Sequence, residues 1–376
     1  MNERRIGWLK MLLEEARSLN KYDVGVTSER LARKLGVDPS SILKLNSNEN
    51  LFVPLDFLRS LLKEVVDEVD PRFYPRDERV ELEEALAKHL NVDHDQIVLG
   101  SGSDQIIELI VHAFLRRGDI VLSIAPTFAI YERATRTGGA RYVPVPLRED
   151  FSLDVERMLR SVEIERARVL FICSPNNPTA NQFPREAVRE IVEGFNGLVV
   201  LDETYADFAR YSTIDLTEEY ENLIVLRTFS KVFGIAGLRL GYAVSSVDIS
   251  SILRERFQMP YAVSSIALRM GIKLLRNVDF IKGRIETLRE ERAILIRRLK
   301  EIDGVQPFSS ETNFVLMNLS SVSSDEAYRR LLNRGIIVRN IGRVLNLENC
   351  IRVTVAPRPM MERFIKSLRG IIETCV

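Results

Sequence analysis

The sequence predicts an α/β fold: a large domain with a mainly parallel seven-stranded sheet between helices, and a smaller α+β domain after it. Three observations lead there. Seven short apolar runs lie within one stretch of chain: Ile97–Leu99, Ile120–Ile124, Tyr142–Val145, Val169–Cys173, Leu198–Leu201, Leu223–Leu226 and Leu240–Val244. Patterns of helical period fall between many of them, as at Asp104–Leu115, Phe128–Thr137 and Arg185–Gly194. Continuously apolar strands separated by helices describe a sheet covered on both faces. Finally, 376 residues exceed what one ordinary core holds, so a second unit is expected.

The remaining elements follow in order. Residues 6–19 place Trp8, Leu9, Leu12, Leu13, Ala16 and Leu19 on one helical face, expected to pack on the body or on a second subunit. The polar face is not mainly basic, which disfavours a membrane-surface helix. A short helix is predicted over Ser28–Leu35, capped by Thr27 or Ser28. Then come a short apolar run at Ile42–Leu45, the polar turn NSNEN (46–50), and helices over Asp56–Val69 and Glu78–Leu90 around a loop marked by Pro71 and Pro75. Beyond the seventh strand, residues 264–300 read as one long or broken helix. A strand at Phe314–Asn318, a helix at Ser324–Asn333, strands at Ile336–Arg339 and Cys350–Val355, and a helix at Met360–Ile372 complete the chain. The expected divisions are a helical extension (1–25), a segment packing with the small domain (26–72), the large domain (73–275) and the small domain (276–376).

Composition removes several function classes. Lys+Arg and Asp+Glu both number 53, so nothing draws the chain to nucleic acid or an anionic membrane. Cys173, Cys350 and Cys375 are too scattered for a disulfide framework or a zinc cluster, and suit a reducing cytosol. His89, His94 and His112 lack metal-ligand spacing, so no metal is expected. No stretch approaches the ~20 apolar residues of a membrane helix. The first twenty residues are too charged for a secretory signal, so a cytoplasmic location is expected.

Four motifs carry chemistry. Gly100–Asp104 (GSGSD) follows a strand and opens a helix, where free amides and the helix dipole favour an anion. Gln105 stands where a dinucleotide fingerprint needs its third glycine, and no Gly-Lys-Ser/Thr follows, so neither a dinucleotide nor a Walker loop is indicated. Ser174–Thr179 (SPNNPT) is a rigid turn at a strand's carboxyl end, the edge where open α/β sheets bind ligands. Asp202 ends an apolar strand with Tyr205 three residues on; a carboxylate there needs a partner, either a helix amide that it caps or a cation. Thr228–Tyr242 (TFSKVFGIAGLRLGY) holds Lys231 and Arg239 among small residues, and a lysine at the exit of a buried strand loses its charge readily and becomes nucleophilic. Each motif alone has an ordinary structural explanation. Together, all at predicted carboxyl ends of strands, they match a phosphorylated pyridine aldehyde: a lysine for the aldehyde, an aspartate for the ring nitrogen, Asn and Tyr for the ring oxygen, and Ser, Arg and a helix N-terminus for the phosphate.

The chain resembles the fold-type I pyridoxal-phosphate aminotransferases, and within them the histidinol-phosphate aminotransferase family. The motifs are LNSNEN (45–50), FYP (73–75), GSD (102–104), PTFAIY (126–131), SPNNPT (174–179), LDETYADF (201–208), TFSKVFGIAGLRLGY (228–242) and IRVTVAP (351–357). The resemblance implies that Lys231 forms the Schiff base and shuttles protons, that Asp202 pairs with the pyridinium, and that Asn177 and Tyr205 contact the ring oxygen. It makes Lys231, Asp202 and Tyr205 the catalytic set. Ser103, Asp104, Ser230 and Arg239 would surround the cofactor phosphate, Gly102 and Thr228 would also belong to the cofactor site, and Phe128 would stack on the ring. Tyr74 would reach the cofactor phosphate of the neighbouring subunit and help bind substrate there, which implies a homodimer. Arg352, assisted by Arg339, would bind the substrate's anionic group. The implied reaction converts L-histidinol phosphate and 2-oxoglutarate to imidazole acetol phosphate and L-glutamate, in histidine biosynthesis. Threonine-phosphate decarboxylation and aromatic amino-acid transamination stay open, because one arginine serves phosphate and carboxylate alike; a non-catalytic cofactor-binding regulator is disfavoured by Lys231 and Asp202. The chain departs from the family pattern at Ala180, where a glycine is usual, at Leu51–Pro54 after the Asn-Glu-Asn, and at Ala262 after Pro260-Tyr261.

Overall fold

A computed structural model describes residues 2–19 and 24–374; Cys375 lies outside the described residues. Its centre is a seven-stranded sheet of β1 (Ile97–Gly100), β2 (Ile120–Ala125), β3 (Arg141–Pro146), β4 (Val169–Cys173), β5 (Leu198–Asp202), β6 (Leu223–Thr228) and β7 (Gly241–Val244), in the order β1-β7-β6-β5-β4-β2-β3. β2 to β6 run parallel, and β7 is antiparallel to both β6 and β1. The continuous apolarity has a direct cause. On β4, Leu170 and Ile172 enter one core while Val169, Phe171 and Cys173 enter the other. On β5, Val199 and Leu201 face the first core and Val200 the second. On these central strands no face is left for water, so period-two polarity never develops, while the edge strand β3 stays partly exposed.

One expectation needs correcting here. Arg239 does not follow a strand's carboxyl end; it precedes β7. Because β7 runs against β6, its amino end returns to the edge where the parallel strands finish, and Arg239 reaches the same place from the other direction.

The stretch 264–300 is two helices, Ser265–Arg276 and Val278–Lys300. Asn277 interrupts them and donates its side-chain amide to the Lys273 carbonyl at 2.8 Å, satisfying a helix-end acceptor. The following antiparallel sheet has the order Arg339–Val344, Leu347–Thr354, Phe314–Leu319, Val305–Pro307. Val305–Pro307 is too short to carry a periodic signal. The predicted strand Ile336–Arg339 is two pieces: Ile336–Ile337 pairs in parallel with Leu43–Lys44, and Arg339 begins a different sheet. Thus Leu45–Asn50 is tied to distant chain: the Leu45 amide donates to the Ile337 carbonyl at 2.7 Å, and the Thr354 amide donates to the Leu45 carbonyl at 2.9 Å.

The predicted N-terminal helix forms over Asn2–Ser18. Its apolar face meets the body only at its edge, where Leu12, Ala16 and Leu19 border a cleft with Arg117 and residues 136–140, while Trp8 stays 61% exposed. The Ser28–Leu35 helix is capped by Thr27, whose hydroxyl accepts the Arg30 amide at 3.2 Å.

Under the sheet edge lies a buried ion network. Arg227 donates to Glu203 at 3.2 Å and to Asp207 at 3.0 Å, and Glu203 also accepts from the Thr213 amide and hydroxyl and from the Ser212 hydroxyl. It holds the chain that leaves β5. Removing one partner of such a pair strands a buried charge. The substitution Arg227→Met is therefore expected to cost about 3–5 kcal/mol of unfolding free energy, measured by urea denaturation.

Candidate active site

A cavity of about 460 Å³ opens where the carboxyl ends of the parallel strands meet the Leu45–Asn50 segment and the small sheet. Lys231, three residues beyond β6, is half-buried and donates from Nζ to the Ser47 carbonyl at 2.9 Å. Burial first, and the nearby Arg352 guanidinium second, push its ammonium down to about 8. An amine in this state has a far larger neutral fraction near neutral pH than an ordinary lysine, the condition for attack on a carbonyl.

Asp202 terminates β5 at 2% exposure. Its Oδ2 accepts the Tyr131 hydroxyl at 2.6 Å and its Oδ1 accepts the Thr204 amide at 2.9 Å. It caps no α-helix; the chain goes on into a turn and the short 3-10 segment Ala206–Phe208. Burial raises its carboxyl, and these two hydrogen bonds only partly offset that. Such a group gains most from a cation beside it.

The two asparagines of SPNNPT divide their work. Asn176 accepts from the Thr127 hydroxyl at 2.8 Å and donates to the Pro126 carbonyl at 2.9 Å, locking the turn to the loop after β2. Asn177 lines the cavity and accepts from Arg352 at 2.5 Å. Tyr205 is buried edge-on to Phe314, with ring centroids 5.3 Å apart, and its hydroxyl accepts from the Asn48 amide at 2.9 Å. Arg352 donates to the Asn46 carbonyl at 2.8 Å and lies over the Phe314 ring at 5.0 Å. Arg339 lines the same cavity from the neighbouring strand, directly across from Arg352 in the register.

At the other end, Gly102 (φ +83°) precedes the helix Ser103–Phe114. A Cβ on Gly102 would come within 2.4 Å of the Arg239 guanidinium, and one on Gly241 within 2.6 Å of the Ser103 amide. Arg239 donates to Asp104 at 2.9 Å. Ser103, Asp104, Thr228, Ser230 and Arg239 all line this end, and Phe128 lines the wall beside it. Helix N-terminus, hydroxyls and guanidinium form a cradle for an anionic group.

The structure thus brings together every residue singled out from the sequence except two. Gly102 is not on the cavity wall and acts by leaving space. Tyr74 lies away from this chain's cavity, 73% exposed and stacked on Tyr261 at 4.5 Å. Sequence reasoning missed Asn46, Ser47, Asn48, Tyr131, Thr204 and Ile341 as participants. LNSNEN and PTFAIY contained four of them, but nothing local says which side chain of a polar run turns inward. Ala180 adopts φ +67°, which explains why a glycine is usual there.

Residues 40–368 match the model of the family described as aminotransferase class I and II. The chain belongs to that family. Among similar class I and II aminotransferases, a histidinol-phosphate aminotransferase of a Thermoanaerobacter species is 38% identical over 330 residues, covering 88% of this chain and 93% of the relative. The crystal structure of histidinol-phosphate aminotransferase from Sinorhizobium meliloti in complex with pyridoxal-5'-phosphate superposes with a TM-score of 0.87 at 26% identity, covering 96% of this chain and 97% of that one. L-threonine-O-3-phosphate decarboxylase from Porphyromonas gingivalis superposes with a TM-score of 0.77 at 25% identity, covering 88% and 100%.

Two outcomes are expected. Trapping of a small aldehyde on Lys231 with borohydride should rise about tenfold per pH unit and level off above a pH of about 8, where an ordinary lysine would continue to rise. Gly102→Ala should weaken inorganic phosphate binding by about tenfold or more, read by calorimetric titration, because the new Cβ displaces Arg239.

Proposed function

We propose that the protein is a pyridoxal-phosphate-dependent aminotransferase acting on L-histidinol phosphate, with 2-oxoglutarate as the second substrate. The observation that carries the cofactor assignment is Asp202: a buried carboxylate at a strand end, in one cavity with an amine of lowered basicity and an anion cradle. The residues fit the cofactor part by part. Lys231 would hold its aldehyde carbon, Asp202 its ring nitrogen, and Asn177 and Tyr205 its ring oxygen. Phe128 would cover the ring face, and Ser103, Asp104, Thr228, Ser230 and Arg239 would enclose the phosphate in the space that Gly102 leaves. When bound, the cofactor supplies an electron sink for the substrate's α-carbon and carries the amino group between two half-reactions.

The chain's own residues do the rest. The Asp202 carboxylate keeps a proton on a heteroaromatic nitrogen by charge pairing. The Lys231 amine would take a proton from the substrate's α-carbon and hold it for return, which requires a group that gains and loses protons near neutral pH. The Ser47 carbonyl orients that amine from the side of the N-terminal segment. Arg352, fixed by Asn177 and by the Asn46 carbonyl, offers a bidentate fork to an anionic substrate group. Arg339 supplies a second charge at the mouth. Two guanidiniums suit a phosphate monoester, and the similar curated aminotransferases support histidinol phosphate as the amine.

The proposed large domain is residues 73–275 and the proposed small domain 276–376. The proposed segment 26–72 joins the small domain through Leu43–Lys44, while its helix Leu55–Glu68 lies against Ser265–Arg276 of the proposed large domain, with Lys273 donating to Glu64 and Glu68; 1–25 is proposed as a helical extension. The interruption at Asn277 and the pairing of Leu43–Lys44 with Ile336–Ile337 support these limits. The proposed assembly is a homodimer in which Tyr74 completes the neighbouring site. Phe73, Tyr74, Met259 and Tyr261 form an exposed apolar group that such a partner would cover. The proposed location is cytoplasmic; among the described residues no helix is long and apolar enough to cross a membrane.

Lys231→Ala should abolish turnover of histidinol phosphate and the visible absorbance that bound pyridoxal phosphate gives. Wild-type turnover in that variant would sink the assignment. Arg352→Lys should raise KM for histidinol phosphate by about ten- to a hundredfold with a smaller change in kcat, since a lysine cannot reproduce the fork. Assay with threonine phosphate and phenylalanine beside histidinol phosphate separates the decarboxylase and aromatic readings from the favoured one.

A further inference from the structure

The Tyr131 hydroxyl is the side-chain donor that meets Asp202 Oδ2, while the Thr204 amide meets Oδ1. The tyrosine hydroxyl donates to Asp202 Oδ2 at 2.6 Å, and the ring is fully buried. Two aromatic contacts hold that ring. It is parallel to Phe171 of β4, with centroids 4.9 Å apart and planes 5° apart. It meets Phe128 edge-on at 5.7 Å and 88°. Phe128 is the side chain assigned to the cofactor's ring face. One residue therefore touches both the ring nitrogen's counter-ion and the aromatic wall.

The sheet explains why this position falls to the loop after β2. Asp202 lies on the same face of β5 as Val200, in the core that also contains Phe171, Cys173, Ile130 and Tyr131. Among the neighbouring side chains of that core, Tyr131 brings the hydroxyl that meets the carboxylate. The remaining carboxylate oxygen is oriented by the Thr204 amide, and the Thr204 hydroxyl also favours the carboxylate.

Resting on the pyridoxal-phosphate reading above, we infer that Tyr131 is a positioning residue. Its hydroxyl fixes the rotamer of Asp202 and stabilises the carboxylate form, so that the proton stays on the cofactor nitrogen and not on Asp202. A hydrogen bond to the charged form of an acid favours that form. Losing it makes Asp202 a better competitor for the proton, which weakens the ring's electron demand and the cofactor's hold.

The test is Tyr131→Phe, which keeps the ring, its stack on Phe171 and its edge on Phe128. Pyridoxal phosphate is titrated into apo-protein, and the visible absorbance of the bound cofactor is followed against pH. Relative to wild type, cofactor affinity should fall about tenfold, and the midpoint of the pH titration should move up by about half a unit or more. The kcat for histidinol phosphate should fall about tenfold with KM within about twofold. A purely structural tyrosine would lower the melting temperature of the apo-protein without moving the midpoint. If Tyr131→Phe does not fold, Phe171→Leu, which loosens the ring and keeps the hydroxyl, should move the midpoint in the same direction by a smaller amount. An unchanged midpoint and affinity in the folded variant overturn the inference while leaving the cofactor reading intact. Failure of the wild-type protein to take up pyridoxal phosphate overturns both.

Discussion

A carboxylate buried at the end of a central strand is the constraint on which the site depends. Asp202 sits against a largely apolar core that includes Val200, Phe171 and Cys173, and an ion there is costly unless something compensates it. The fold compensates in part, with one hydroxyl and one amide. On the proposed reading, the protonated ring nitrogen of the cofactor would supply the rest. Nearby, Lys231 is the mirror case: a cation whose burial weakens its charge. An acid made easier to protonate and a base made easier to deprotonate, in one cavity, are what proton-transfer chemistry at neutral pH requires.

Three parts of the chain are needed to hold these groups in register. The parallel strands bring Asn177, Asp202 and Lys231 to one edge, because parallel strands all finish on the same side. The antiparallel β7 returns Arg239 to that edge, and Gly102 with Gly241 leaves it room beside the Ser103 amide. The Leu45–Asn50 segment then closes the cavity. Its carbonyls receive Lys231 and Arg352, its Asn48 amide reaches Tyr205, and its own backbone is tied to Ile337 and Thr354. The substrate-facing arginines and the cofactor-facing groups are thereby coupled through one short polar stretch. Movement of the small sheet relative to the large one would be felt at both.

The buried Arg227–Glu203–Asp207 network serves the same end from the opposite face. Glu203 follows Asp202 directly, and alternation along the chain sends the two carboxylates to opposite sides of the sheet. One is neutralised within the protein and is structural. The other is kept available.

What the sequence determined by itself was the class of fold and the chemistry of the motifs. Fully apolar strands required a two-sided sheet, and Asn177, Asp202, Lys231 and Arg239 each sat in a turn or strand end of unusual composition. These signals are local, since they come from residue type and spacing within a dozen positions. The tertiary structure alone decided the rest. It brought Asn46–Asn48 to Lys231 and Arg352 across more than 180 and 300 residues of chain. It sent Asn177 inward and Asn176 into the scaffold, turned Arg239 toward the cradle by reversing β7, and set Tyr131 against Asp202. Those outcomes depend on strand order, strand direction and side-chain orientation, which are fixed by packing between distant segments and leave no trace in the spacing of neighbouring residues.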